Sequence, residues 1–463
     1  MKLKHLSQSV MLMGVAVGAF SSTALASGYN FGSQSVSAQG TAHANAAEAA
    51  DASIIYYNPA GLSLLEGTQI SVGATTVLPD SSYTDTGSKR AVSTLPLKGN
   101  NGGSYAPSAV IAPTFYMSSK LNDKVTVGLG MFVPYGAQLD YGNSWIGRYA
   151  IESIKLETLN INPSISFKLD DKQSLGFGLS AQYMKAHLTK AVDVGSGAYS
   201  TLVGLYGASI GGAVAAGLGD GQAGMSADGW GYGFNLGYMY QLDEHTRFGL
   251  AYRSEIHQTL DGSATWDFSQ VGNSTIAAQA AAQHPNSSAQ VKVVTPQSAS
   301  ASFYHDLNER VAIMGTATWT GHSSMQNIDI KFPGTSEGDL IINQKWKNSW
   351  MFALGANYKY SDKLLFRTGL AYDQSPVSSE QLTHPALPDG DRYWISFGAN
   401  YKFDKHNSVD VSYSYVQVKN VHINYSDVCS GQASCSYTGN GETTTGDYKT
   451  NLQLIGLQYN YSF

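Results

Sequence analysis

The sequence predicts an all-β protein: a 14-stranded antiparallel transmembrane β-barrel with an N-terminal hatch, or plug, in its lumen. Three observations lead there. Only 13% of the 463 residues are charged, while Gly (49) and Tyr (29) are abundant; soluble domains carry about a quarter charged residues. Beyond the N-terminus no apolar run reaches the ~18–20 residues of a spanning helix, and the mean hydropathy is −0.17. The chain also ends on a strict alternation, with Ile455, Leu457, Tyr459, Tyr461 and Phe463 opposed to Gly456, Gln458, Asn460 and Ser462. A terminal aromatic strand of this kind removes the unpaired edge that lipid does not tolerate.

In chain order, residues 1–26 read as an export signal. Lys2 and Lys4 precede an apolar core from Val10 to Phe20, and Ala24-Leu25-Ala26 forms a small-x-small cleavage site. Residues 27–67 follow as the hatch. Their small, weakly polar composition has neither strand alternation nor a helical stripe, and cannot bury enough apolar surface alone. Such a segment is a disordered leader or a plug held inside something larger, and a barrel supplies a lumen. It closes with Ile54, Ile55, Tyr56 and Tyr57 and an Asn58-Pro59 turn.

Residues 68–463 read as the barrel. Alternation marks its strands: Leu175, Phe177, Leu179 and Tyr183 share one face, Gly176, Gly178, Ser180 and Gln182 the other. The second face is small and polar, so the apolar face points at lipid. Short turns such as 169–172 and 242–245 belong on the periplasmic side, and long insertions near 191–228 and 262–288 belong outside. The first insertion is small and apolar enough for short helices.

Cys429 and Cys435 share one Gly/Ser-rich loop, and export favours a disulfide between them. Zinc would need two more ligands, and only His422 is near. No metal or cofactor is expected. The G-x-S-x-G pattern at Gly207–Gly211 lies in a small-residue loop, not the strand–turn–helix its chemistry needs, so no enzyme is expected. A net charge of −6 argues against nucleic acid.

An ordered set of stretches resembles one family, the FadL-type outer-membrane transporters of long-chain fatty acids and other hydrophobic compounds. It comprises Asn58-Pro59-Ala60-Gly61, Tyr252-Arg253-Ser254-Glu255, Arg367 to Asp373, Ser375-Pro376-Val377, Pro388 to Trp394, and Ser408 to Val411. The resemblance implies a monomeric barrel in the bacterial outer membrane. Its long loops capture cargo, an inner apolar site receives it, and a kink in the third strand releases it sideways into outer-membrane lipid. It also implies basic side chains at the inner site, matching Lys185 and Lys347 with Lys345 as an alternative, and apolar Tyr29 and Phe31 reaching the same pocket. Fatty acid, alkane and aromatic hydrocarbon all stay open as cargo. A general diffusion porin is the other reading; it would want a charged constriction and no hatch. Independently, Pro134 and Gly136 favour a bend or bulge near 133–136, or a plain strand end with a turn. If the strand is displaced there, the Asn58 amide, presented by Pro59 and Ala60, is a candidate to hold the freed backbone.

Overall fold

A computed structural model describes residues 29–335, 338–426 and 441–463. The export segment 1–26 and the Cys429/Cys435 pair lie outside the described residues. Twenty strand segments build fourteen membrane staves in one closed antiparallel sheet. Stave one is β1 (Thr68–Asp85), stave two β2 (Val110–Asn122), and stave three is split into β3 (Val125–Phe132) and β4 (Gly136–Asp140). Next come β5 (Ser153–Lys168), β6 (Gln173–Val192) and β7 (Gly221–Gln241). Three split staves follow: β8 and β9 (Thr246–Arg253, Ile256–Asp267), β10 and β11 (Ser287–Thr295, Ser298–Asp306), β12 and β13 (Val311–Thr320, Asn327–Lys331). Another split stave consists of β14 and β15 (Leu340–Asn343, Ser349–Lys359), followed by the continuous β16 (Leu364–Asp373) and β17 (Arg392–Lys402). The last two are β18 with β19 (Asn407–Val418, Val421–Ser426) and β20 (Thr443–Ser462). β20 closes the ring on β1, from Gln69↔Ser462 to Asp85↔Gly446. The terminal aromatics thus seal the sheet as the alternation predicts.

The period of two sorts each stave. On β6, Leu175, Phe177 and Leu179 are exposed to the outside, while Ser174, Ser180 and Gln182 are buried inside. Small lumenal residues leave room for the N-terminal segment. A Cβ on Gly176 would come within 2.2 Å of the Ala60 nitrogen, and one on Gly369 within 2.2 Å of the Thr41 carbonyl carbon.

That segment winds through the lumen as short turns. They are α1 (Val36–Gly40), capped by Ser35; α2 (Ile54–Tyr57); and a 3₁₀ turn, Pro59–Leu64, capped by the Asn58 side chain. Nearly every residue from Phe31 to Ala47 is buried.

Outside, the connection between β6 and β7 holds α3 (Val194–Gly217), and that between β9 and β10 holds α4 (Ser274–Gln283). The strands on either side run further than the alternation suggested, so these insertions are shorter than 191–228 and 262–288. By length and composition α3 could span a membrane. It is interrupted at Gly207 (φ 76°), which only glycine adopts readily, and each arm is too short to cross. Ser209 of the G-x-S-x-G pattern sits just after this break, on exposed helix rather than at a nucleophile elbow.

Candidate functional site

Stave three breaks where Pro134 cannot donate to a ladder. β3 pairs with β2 up to Phe115↔Met131, and with β5 up to Phe132↔Asn160. β4 then pairs with β5 alone, from Gly136↔Glu157 to Asp140↔Ser153. Residues 133–135 therefore oppose only 158 and 159, a bulge that shifts the alternation so that Phe132 and Ala137 both end up buried. Among the described residues, Val110–Thr114 of β2 have no ladder partner on that side. At ~3.3 Å per residue, five residues leave a window roughly 16 Å tall. The Asp140 amide donates to the Tyr105 carbonyl (2.7 Å) beyond its outer end.

The freed backbone is satisfied by the start of the plug. Phe31 N–H donates to Pro134 O, and Gly136 N–H to Tyr29 O, both at 2.8 Å, around an antiparallel bridge between Asn30 and Tyr135. Gln34 adds a reciprocal pair: its Nε2 donates to Val133 O (2.6 Å) and its Oε1 accepts from Val133 N–H (3.1 Å). Asn58, expected at the kink, lies elsewhere. Its Nδ2 donates to Tyr238 O (3.1 Å) and Leu250 O (3.3 Å), and the Ala60 carbonyl accepts from Ser166 and Ser174. The Asn58-Pro59-Ala60 turn thus anchors the far end of the plug against β5–β8, and the vacancy at the kink is filled instead by the Tyr29–Phe31 backbone and the Gln34 amide.

Behind the window lies a packed apolar cluster. Tyr29 packs on Tyr135 (5.1 Å between ring centroids) and on Trp346 (5.9 Å), with Met184, Leu260 and Val291 around them. The tyrosine hydroxyls donate to Val294 O and Pro296 O, beside the break between β10 and β11. Phe31 belongs to a second cluster that includes the window-edge residues Val110 and Ala112. Tyr29 and Phe31 are thus both buried in the interior, in two separate clusters.

The three lysines are not. Lys185 follows the outward parity of Leu175, Phe177 and Leu179 and stands beside Glu157 and Asp228 in the register. Lys345 and Lys347 are exposed on either side of buried Trp346. Lys185→Met and Lys347→Met are therefore expected to change the binding of an oleate probe to the purified protein by less than about twofold. Asn30, Gln34, Tyr135 and Trp346 are the interior residues that sequence reading passed over; Trp346 had a signal, an aromatic held between two lysines at alternate positions.

Arginines on the wall hold the plug. Arg247 donates to Ala47 O (2.7 Å) and Glu48 O (3.0 Å), and Arg253 to Tyr56 O (3.0 Å). The Arg253 guanidinium also stacks over the Tyr56 ring. Arg367 pairs with Glu48 at 2.8 Å. Beside the plug a cavity of about 130 Å³ is lined by His43, Arg253, Thr316 and Asp373, together with apolar residues such as Met351 and Trp394. Burial lowers the His43 pKa to about 4, and its Nδ1 has no hydrogen-bond partner. A buried neutral histidine stabilises the plug fully above its unfolded pKa of ~6.5. That stabilisation is lost as pH falls from there towards 4, on the order of 2 kcal/mol by pH 5. Protease cleavage within the plug should rise between pH 7 and 5, and His43→Gln should flatten the profile.

The profile of a family described as "Outer membrane protein transport protein (OMPP1/FadL/TodX)" matches residues 17–463. An outer membrane protein of Neisseria meningitidis is 35% identical over 99% of each chain. The long-chain fatty acid transport protein of Escherichia coli K12 is 30% identical, covering 97% of this chain and 98% of that one. Among solved structures, a Pseudomonas aeruginosa FadL homologue superposes with a TM-score of 0.81 at 25% identity, over 94% of this chain and 100% of its own. The toluene transporter TodX of Pseudomonas putida shares the fold, with a TM-score of 0.64 at 18% identity over 89% and 94%.

Proposed function

The chain belongs to the OMPP1/FadL/TodX family of outer membrane transport proteins, channels rather than enzymes, and from that premise we propose that it takes up long-chain fatty acids and releases them sideways into the membrane. The observation that carries this reading is the window between β2 and β4, closed from inside by the backbone of Tyr29–Phe31. A hydrophobic molecule gains nothing by passing into periplasmic water. A continuous ladder would forbid any exit to lipid, and this ladder lacks one contact. Cargo meets the exposed apolar residues of α3 (Leu205, Tyr206 and Ile210) first. It then enters the apolar cluster by displacing Tyr29, and that displacement withdraws the bonds that close the window. The barrel acts as a monomer, and outer-membrane lipid receives the product.

The fatty acid assignment is supported by the E. coli relative, similar over nearly its full length. The test is uptake of labelled oleate by cells with and without the protein. Faster uptake with it is expected; equal rates would overturn the assignment.

A further inference from the structure

The six short turns that join staves on the periplasmic side share one pattern. Residues 121–124, 169–172, 242–245, 307–310, 360–363 and 403–406 read LNDK, LDDK, LDEH, LNER, YSDK and FDKH. A large apolar residue comes first, then Asn, Asp or Ser, then an acid, and last a base; Lys405 stands where the other five turns carry the acid. Each first residue continues the lipid-facing parity of its strand, as Leu242 does after Tyr232, Phe234 and Leu236, and each is 45–64% exposed. Phe463 ends a seventh strand in the same way. Together these residues form an apolar collar along the periplasmic edge of the lipid-facing surface.

Hydrogen bonds hold the polar part of each turn. The second residue folds back to accept backbone N–H groups two and three positions on. Asp170 accepts from Lys172 and Gln173 (both 2.8 Å), and Asp243 from His245 and Thr246 (2.9 and 2.8 Å). The carbonyl of the fourth residue accepts from the strand that leads to the next turn: Lys124 O from Lys168 N–H (2.8 Å), Lys172 O from Gln241 N–H and Arg310 O from Lys359 N–H (both 2.7 Å). The turns are thereby linked around the rim. Lys172 Nζ also donates to Leu242 O (3.2 Å), so this side chain lies along the rim beside the next collar residue. In five turns an exposed acid and an exposed base are chain neighbours: Asp123-Lys124, Asp171-Lys172, Glu244-His245, Glu309-Arg310 and Asp362-Lys363. The fold uses the second residue as a turn-former and the first as a lipid anchor, but it does not dictate this repeated acid–base order. Lys168 and Lys359 pair with Asp171 and Asp362 (3.0 and 2.9 Å), whereas Lys120 turns to Glu66 instead of Asp123.

Charges bordering a lipid-facing apolar collar stand at the depth of the phospholipid headgroups. We propose that the six turns bind aminophospholipid headgroups of the periplasm-facing leaflet, the base of each turn on the lipid phosphate and the acid on its primary ammonium. Phosphate oxygens take charge-assisted hydrogen bonds from Lys and Arg, and a primary ammonium has three N–H groups to give a carboxylate. A choline headgroup has no N–H to give. An anionic headgroup meets one attraction and one repulsion at every acid–base pair. The collar binds lipid in this way whatever cargo the barrel carries.

The test is native mass spectrometry of the purified full chain, released from detergent micelles doped with equal amounts of phosphatidylethanolamine, phosphatidylcholine and phosphatidylglycerol of the same acyl chains. The wild type is expected to keep about threefold more phosphatidylethanolamine than phosphatidylcholine, the scale of exposed charge pairs, and no more phosphatidylglycerol than phosphatidylethanolamine. Asp123→Asn with Glu244→Gln and Glu309→Gln removes three ammonium acceptors and should bring phosphatidylethanolamine down to the phosphatidylcholine level. Lys124→Gln with Arg310→Gln and Lys363→Gln should lower retention of all three lipids. Heat-modifiable mobility shows that each variant is folded, and the wild-type comparison decides by itself if one is not. Equal retention of phosphatidylethanolamine and phosphatidylcholine by the wild type, an excess of phosphatidylglycerol over both, or a phosphatidylethanolamine preference that survives in the folded acid variant would each overturn the proposal.

Discussion

Replacing Arg367 with methionine is expected to destabilise the plug by about 3–5 kcal/mol, the cost of breaking a buried ion pair from one side. Arg367 and its partners are nearly excluded from solvent. Nη1 bonds both oxygens of Glu48, at 2.8 and 3.0 Å, and Nε lies 3.7 Å from Asp410. Amides complete the network: Asn357 donates to Glu48 (2.6 Å), and Asn400 and Asn460 donate to Asp410 (2.9 and 2.6 Å). Without the guanidinium two carboxylates face each other's neighbourhood with amide donors alone. Glu48 is part of the plug and Asp410 part of β18, so the plug is the member able to leave. Planar-bilayer recordings should show frequent large openings in the variant and rare ones in wild type, with a lower unfolding midpoint. Adding Glu48→Gln to Arg367→Met should recover part of the loss, because it removes one uncompensated charge. Unchanged conductance and an unchanged midpoint would mean that the plug is held by shape alone.

Much of the barrel was readable because period-two alternation is local. Each lipid-facing residue announces its neighbour's direction, and the closing strand from Ile455 to Phe463 followed from it; the bend at Pro134 and Gly136 was signalled by their backbone chemistry instead. The same rule, applied to Lys185, places it outside with Leu175, Phe177 and Leu179; the family resemblance pulled the reading the other way. Lys345 and Lys347 were harder, since the break between β14 and β15 interrupts the alternation and a left-handed residue resets which side chains face in. The partner of the kink was not legible at all. Asn58 had the right chemistry, but irregular backbone pairing across a hundred residues has no periodic signature. Asn30 and Gln34 give no sign in sequence that they, and not Asn58, meet Val133–Gly136. The contact between His322 and Trp346 was hidden for the same reason: it forms only because two separate staves break at one height.

Fixing the plug to the kink should abolish transport. Asn30 and Tyr135 form an antiparallel bridge flanked by the bonds Phe31 N–H to Pro134 O and Gly136 N–H to Tyr29 O. This is the closely spaced kind of pair, with Cα atoms ~4.5 Å apart, within the range a disulfide spans. With Cys429 and Cys435 first replaced by serine, Asn30→Cys and Tyr135→Cys should cross-link on oxidation without disturbing the barrel. The link keeps the inner side of the window covered whatever happens in the apolar cluster behind it. Reduction restores mobility but not the lost side chains, so each sample serves as its own control. The deciding measurement is the initial rate of labelled oleate uptake by cells carrying this variant, oxidised and then reduced. The account predicts a fall of at least about tenfold in the oxidised state and recovery on reduction; uptake at the same rate in both states, with the cross-link confirmed, would contradict release through the window.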